Sequence, residues 1–274
     1  MIKKAIIPAA GFGTRNLPIS KTVPKEMFPV GLKPAIEYVI EEAVDAGIEQ
    51  ILIVVSRSKQ LIIDYFDPSF ELENHLKKKN KLELLDKITV PKVEILYTRQ
   101  AYANGLGDAI RLGKNFVGED PFAVLLPDDI ILKKGRGIKE LIATYESTNS
   151  SVIGLKEIAT EHLKKYGVIK GAKVPEIAEK VYKITDIVEK PQHNPPSNLA
   201  VIGRYVFTPT IMKFLDILTP GAGGEIQLTD GIKDLLDKEN CYGRIISGDR
   251  YDIGIESDYI KLINKVYELN NESV

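Results

Sequence analysis

The sequence predicts an α/β fold, a Rossmann-like three-layer arrangement with a mixed, mostly parallel central sheet and a small β-ribbon excursion. Three observations predict it. Short apolar runs, among them AII at 5–7, ILIVV at 51–55 and FAVLL at 122–126, read as strands buried on both faces of a parallel sheet. A helical pattern over residues 33–46 separates the first two, which makes a βαβ unit with a right-handed crossover. Glycine-bearing turns then follow the first and third strands, at the end of the sheet where open α/β folds hold their ligands.

In chain order, Ala5, Ile6 and Ile7 form the first strand, ended by Pro8. Ala9, Ala10, Gly11 and Gly13 let backbone N–H groups approach an anion closely, Arg15 pairs with it and Lys25 reaches in from further along, so the stretch reads as a phosphate site. The helix KPAIEYVIEEAVDA begins with a proline near its first turn and stops at Gly47, and IEQILIVVS is the second strand. Residues 67–87 turn charged; acids flank KKKNK and leucines recur at helical spacing, so this reads as a solvated helical excursion open to an oligomer contact, not a nucleic-acid patch.

The third strand, VEILYTRQ, ends on Gln100, whose amide can donate to and accept from a base edge or simply bond local backbone. The fourth, FAVLLPDDI, delivers Asp128 and Asp129 where a parallel strand opens into the crevice. Paired acids there suit a hard cation such as Mg²⁺, with a capping Asp as the alternative. After the strand SSVIGLKEI, KYGVIK and KVYKITDIVEKP form a ribbon with Gly167 at its start and Glu189 and Lys190 at its end. Carboxylate to hydroxyls and ammonium to phosphate would suit a phosphorylated sugar. PQHNPPSN is a rigid connection into the strand NLAVIGRYVFTP. LTPGAGGEIQLTDGIKDLL ends one helix and begins another, with Glu225 and Asp230 near its start. GRIISGDRYDIGIES gives a late strand with Asp252 in a turn, Ser257 as an N-cap and an amphipathic closing helix.

Composition narrows the function classes. A chain of 274 residues, 44% apolar, can bury a sizeable core in one large α/β domain. Lys and Arg total 37 against 38 Asp and Glu, so no global field recruits nucleic acid or an anionic membrane, and small-molecule partners are expected. The lone Cys241 and three scattered His give no disulfide framework and no zinc cluster. With no long apolar run and no signal peptide, a soluble cytoplasmic protein is expected. GFGTR lacks the last glycine of a dinucleotide fingerprint, no P-loop is present, and Ser56 and Arg57 end the second strand where an NAD enzyme places an acid. An NADP dehydrogenase is therefore a poor alternative.

With these residues in hand, the chain resembles the bacterial and archaeal UTP–glucose-1-phosphate uridylyltransferases, within the sugar-phosphate nucleotidyltransferase family. PAAGFGTR, SKTVPKEMFPV, FDPSFELE, GLGDAI, LLPDDI, YGVI, VEKP, SNLAVIGRYV, PGAGGEIQLTD and RYDIG carry the resemblance by their order and spacing. It implies uridylyl transfer from UTP to glucose 1-phosphate with Mg²⁺ as cofactor. It also implies a division of labour: Ala9, Ala10 and Gly11 on base and ribose, Gly13, Thr14 and Arg15 on the triphosphate, and Lys25 neutralising phosphates. Gln100 and Gly105 would read uracil, and Asp128 and Asp252 would hold the metal. Gly167, Glu189 and Glu225 would hold the glucosyl ring, with Lys190 on its phosphate. One nucleotidyltransferase domain over 1–274 is expected, with a nucleotide-binding part at about 1–130, a sugar-phosphate-binding part at about 131–255 and a C-terminal helix at about 256–272. The expected assembly is a homodimer or homotetramer. A relative using dTTP or another sugar 1-phosphate, and a non-catalytic regulatory protein, are the alternatives. The chain departs from the family pattern at Pro127, where Gly is usual; at Asp108, where GLGHA becomes GLGDA; at Asn16, where a bulky apolar residue is usual; and at Ile253, where many relatives carry Cys.

Overall fold

Strand lengths follow the apolar runs. The computed structural model describes residues 1–132, 135–221 and 224–271; Ala222 and Gly223 of the PGAGGEIQLTD motif and residue 272 of the expected closing helix lie outside them. In chain order the strands are β1 (Lys4–Pro8), β2 (Pro29–Val30), β3 (Lys33–Pro34), β4 (Gln50–Val55), β5 (Glu94–Arg99), β6 (Phe122–Leu125) and β7 (Asp129–Ile131). They continue with β8 (Ser151–Glu157), β9 (Gly167–Lys173), β10 (Val181–Glu189), β11 (Leu199–Phe207), β12 (Cys241–Ile245) and β13 (Arg250–Asp252).

Nine of these strands make one sheet, in the order β5-β4-β1-β6-β11-β8-β12-β10-β9. Only β10 and β11 run against the rest, so the sheet is mixed and mostly parallel in strand direction. Three layers follow from its burial pattern. Ala5 and Ile7 of β1 face one core, with the helix Ala35–Asp45, while Ile6 faces the other, with the helices Thr210–Ile217 and Leu228–Leu236. A strand with apolar residues at every position is what two covered faces require. The helix Ala35–Asp45 presents Ile36, Val39, Ile40 and Ala43 to the sheet, and Gly47 turns the chain at φ +89° into β4.

The expected ribbon is the β9–β10 hairpin, in which Gly167 lies opposite Glu189. It is continuous with the sheet, because β10 also pairs with β12. Two local expectations change. Asp252 ends a short strand instead of lying in a turn, because β13 pairs antiparallel with β7 and sets Asp252 opposite Asp129. Ser257 lies inside the helix Glu256–Asn271, which begins one residue earlier, and is not its N-cap. The charged excursion forms the helix Phe70–Lys78, in which Leu76 is the buried residue. No helix among the described residues is long and apolar enough to cross a membrane.

Candidate active site

The loop after β1 differs from the strand in how it uses its backbone N–H groups. Ala9 donates its N–H to the Val54 carbonyl at 2.8 Å, prolonging the ladder by one residue. Its N–H is therefore taken up by the sheet, and Ala9 contributes smallness instead. From Ala10 to Arg15 the backbone N–H groups donate to no acceptor of the described chain. A run of undonated N–H groups beside cationic side chains is an anion cradle. Gly13 makes the bend at φ 67°, and a Cβ there would lie 3.3 Å from Ser20 Cβ. Asn16 anchors the loop to the RYDIG turn: its Nδ2 donates to the Ile253 carbonyl at 3.4 Å, while its Oδ1 is buried without a partner.

Three acids meet across the β7–β13 pair, and their surroundings give them different roles. Asp129 is structural: its Oδ2 accepts the Gly203 N–H at 2.7 Å and its Oδ1 pairs with Arg250. Asp128 faces the loop, with Lys25 Nζ 2.5 Å and Arg15 Nη2 4.0 Å from its Oδ2. Asp252 holds the Gly254 N–H at 2.8 Å through Oδ1, and its Oδ2 lies 3.7 Å from Arg15 and 3.9 Å from Arg250. Burial works to raise the Asp128 carboxyl, but the Lys25 ammonium and the Arg15 guanidinium outweigh it and the net shift is downward. Burial likewise works to lower Lys25, and Asp128 with Glu26 reverses this, so Lys25 is held charged. Asp252 moves upward, through burial first and then repulsion from Asp129 and Asp128.

Asp128 and Asp252 thus share one cation, the Arg15 guanidinium, and both offer hard oxygen donors. That donor set fits a divalent ion of the Mg²⁺ type, which takes one or two carboxylates and completes its shell with water and phosphate oxygens. Among the described residues no group of three or more candidate ligands converges anywhere.

These acids line a cavity of about 200 Å³ whose other walls include Tyr166 and Gly167 of the ribbon, Glu189, Gln227 and Thr229. A Cβ on Gly167 would come within 3.1 Å of Thr229 Cγ2 and 3.3 Å of Glu189 Oε2, so the glycine gives the cavity its width. Lys190 adopts φ 46° beside it, with Nζ 3.1 Å from Glu189 Oε1, and stands just outside the walls. Glu225 is exposed and also outside; the Gln227 amide donates to it at 3.1 Å. Among the wall residues that sequence reasoning misses are Lys165, Gln227, Thr229 and Arg250. Gln227, Thr229 and Arg250 lie inside the PGAGGEIQLTD and RYDIG motifs and Lys165 directly precedes YGVI, which is the available signal. Arg250 donates to the Tyr166 hydroxyl at 3.2 Å and stacks on its ring.

A second cavity of about 360 Å³ adjoins the loop, lined by Ala10, Phe12, Ser56, Arg57, Gln100 and Ala101 among others. Here one expectation is corrected. Gln100 cannot offer both donor and acceptor, because its Nε2 already donates to Asp108 Oδ2 at 2.8 Å and to the Gly105 carbonyl at 3.1 Å. Asp108 does not present its charge to this cavity; it is buried and paired with Arg111 at 2.6 Å. Gly105, at φ 100°, lies under the 225–226 backbone, and Ile226 donates to the Asn104 carbonyl at 2.7 Å. A larger cavity of about 800 Å³ lies between helices Ala35–Asp45 and Glu256–Asn271, but three of its acids, Glu37, Glu41 and Glu42, are already paired with Lys33 and Arg204.

The nucleotidyl transferase family pattern matches residues 4–268. A Bacillus subtilis (strain 168) protein provisionally named UTP–glucose-1-phosphate uridylyltransferase is 56% identical over 264 residues, covering 96% of each chain. A second protein of that organism, named UTP–glucose-1-phosphate uridylyltransferase, is 47% identical over 94% of this chain and 89% of its own. The crystal structure of a UDP-glucose pyrophosphorylase complexed with UDP-glucose superposes with a TM-score of 0.87 at 42% identity, covering 98% of this chain and 99% of that one.

Proposed function

The chain belongs to the nucleotidyl transferase family, and we propose that it works there as a UTP–glucose-1-phosphate uridylyltransferase, making UDP-glucose and pyrophosphate. One observation carries the site assignment: Asp128 and Asp252 converge on Arg15 between an undonated N–H loop and the cavity they line. In this reading Ala9, Ala10 and Gly11 meet base and ribose, while Gly13, Thr14 and Arg15, with Lys25, receive the triphosphate. The Gln100 cavity takes the base, with Gly105 at its edge. Gly167 and Glu189 face the glucosyl ring, and Lys190, Lys165 and Glu225 flank its entrance.

The chemistry requires few proton transfers. Glucose 1-phosphate, with a second pKa of about 6, is already largely dianionic at neutral pH, so its oxygen attacks the α-phosphorus of UTP without a general base. The obstacle is bringing two polyanions together in line, which positioning and fixed cations overcome. Lys190 steers the nucleophile, while Arg15 and Lys25 stabilise the departing pyrophosphate; Lys25 is suited to this because Asp128 keeps it charged. The family generally uses a divalent metal. In our reading Asp128 and Asp252 would hold Mg²⁺, which when bound neutralises charge on phosphate oxygens. A cytoplasmic location and a homodimer or homotetramer complete the proposal; Phe70, 70% exposed on the charged excursion, supports a subunit contact there.

Asp128→Asn tests the assignment. Turnover is expected to fall roughly a hundredfold or more, as loss of one strong electrostatic contact to the transition state predicts, with KM for glucose 1-phosphate little changed. Near-normal turnover in saturating Mg²⁺ would remove Asp128 from the chemistry.

A further inference from the structure

We propose that Asp108 is a specificity-determining positioning residue: by binding the amide nitrogen of Gln100, it leaves that side chain only an oxygen to present to the nucleobase. The inference rests on the proposed reading of the Gln100 cavity as the base site. Gln100 is 5% exposed at the end of β5, and both groups around its Nε2, Asp108 Oδ2 at 2.8 Å and the Gly105 carbonyl at 3.1 Å, are acceptors. The amide therefore has one orientation. Turning it over would set Oε1 against a carboxylate and a carbonyl, two repulsive contacts in place of two hydrogen bonds. Asp108 is itself held, 3% exposed with Oδ1 2.6 Å from Arg111 Nη2, so it cannot swing away to release the amide.

Within the described chain Oε1 of Gln100 has no hydrogen-bond partner, and it is not one of the fully enclosed orphan atoms. It is the side-chain polar atom left without a partner on a residue that lines the cavity with Ala10, Phe12, Ser56 and Arg57. Opposite the ring nitrogen of the pairing edge, an acceptor pairs with uracil or thymine N3–H and guanine N1–H, whereas cytosine N3 and adenine N1 are acceptors and would face Oε1 lone pair to lone pair; the exocyclic amines of cytosine and adenine could reach it only with the base shifted in the cavity. A site built around one hydrogen bond rejects an analogue that cannot make it far more strongly than shape alone does. Asp108 thereby turns an ambidextrous glutamine into a one-way reader that excludes CTP. Uracil and thymine remain alike to it.

A one-pot competition between UTP and CTP, with glucose 1-phosphate limiting and both nucleotide sugars quantified, reads the ratio of the two kcat/KM values. In Asp108→Ala, where the Gly105 carbonyl alone still favours the orientation, that ratio is expected to fall at least tenfold, with the KM for glucose 1-phosphate unchanged. Asp108→Asn has one oxygen for two donors; with Arg111 taking it, Nδ2 faces Gln100 and favours the turned amide, so this variant is expected to lower the ratio as the alanine variant does. Asp108→Ser, whose hydroxyl accepts or donates and so fixes no orientation, repeats the test should the alanine variant fail to fold. A folded Ala or Ser variant with an unchanged ratio overturns the proposal. Gln100→Ala separates this from failure of the base-site reading. If it leaves the UTP KM unchanged, the cavity is not the base site; if it raises that KM while Asp108→Ala leaves the ratio unchanged, the proposal about Asp108 alone is wrong.

Discussion

Three aspartates within a few ångströms illustrate how environment divides labour among identical residues. Asp129 is consumed by Gly203 and Arg250, whereas Asp128 and Asp252 keep oxygens toward the crevice. Their titration runs in opposite directions. Asp128 is depressed, so its ion pair with Lys25 contributes stability above its unfolded pKa that is lost as pH falls through its native one. Asp252 is raised, so its ionised form is a cost above its native pKa, recovered as it protonates on acidification. In chelator at pH 7, Asp252→Asn is therefore expected to stabilise the protein by about 1 kcal/mol, ~2–4 °C in the unfolding midpoint, while turnover is lost. A lower midpoint would mean that the Asp252 charge is needed to hold Arg15 and Arg250. At this scale the sequence is legible for residues that sit in dense motifs. Asp128, Asp252, Arg15 and Lys25 are brought together as their motifs imply. Gln100 is half legible, because which end of an amide is free depends on a neighbour eight residues away in another element.

Among the elements, the strands are the easiest to read, since apolar runs bounded by Gly, Pro and charge admit few other interpretations. The short pair β7–β13 is not legible: three residues each, it exists because the two segments meet across the fold, and no local periodicity announces it. Nor can the sequence show that residues 225–226 close over the start of the helix Leu106–Arg111. A Cβ on Gly105 would lie 2.8 Å from both Glu225 Cβ and the Ile226 carbonyl oxygen, at a φ of 100° that only glycine adopts without strain. Gly105→Ala is accordingly expected to cost about 1–3 kcal/mol in chemical denaturation and to raise the UTP KM at least tenfold. Unchanged stability with normal kinetics would show that this packing yields freely.

For the whole molecule, one continuous sheet carries both the parts expected to bind nucleotide and sugar phosphate, and buried charge locks them together. Arg204 of β11, 0% exposed, pairs doubly with Glu42 of the helix Ala35–Asp45 and donates to the Leu126 and Asp129 carbonyls. Removing one partner of such a pair leaves a buried charge unmatched, so Glu42→Ala is expected to cost about 3–5 kcal/mol. Because the sheet is shared, the loss is expected in a single unfolding transition; two resolved transitions would mean that the parts fold separately. In the proposed reaction the crevice joins two phosphates by substitution at the α-phosphorus of UTP. Incubating the protein with α-³²P-labelled UTP, glucose 1-phosphate and Mg²⁺, then separating the products, tests it directly. The label is expected in UDP-glucose, with one unlabelled pyrophosphate released per nucleotide sugar and none released without glucose 1-phosphate. Label remaining in UTP, or pyrophosphate released independently of the sugar phosphate, would contradict it.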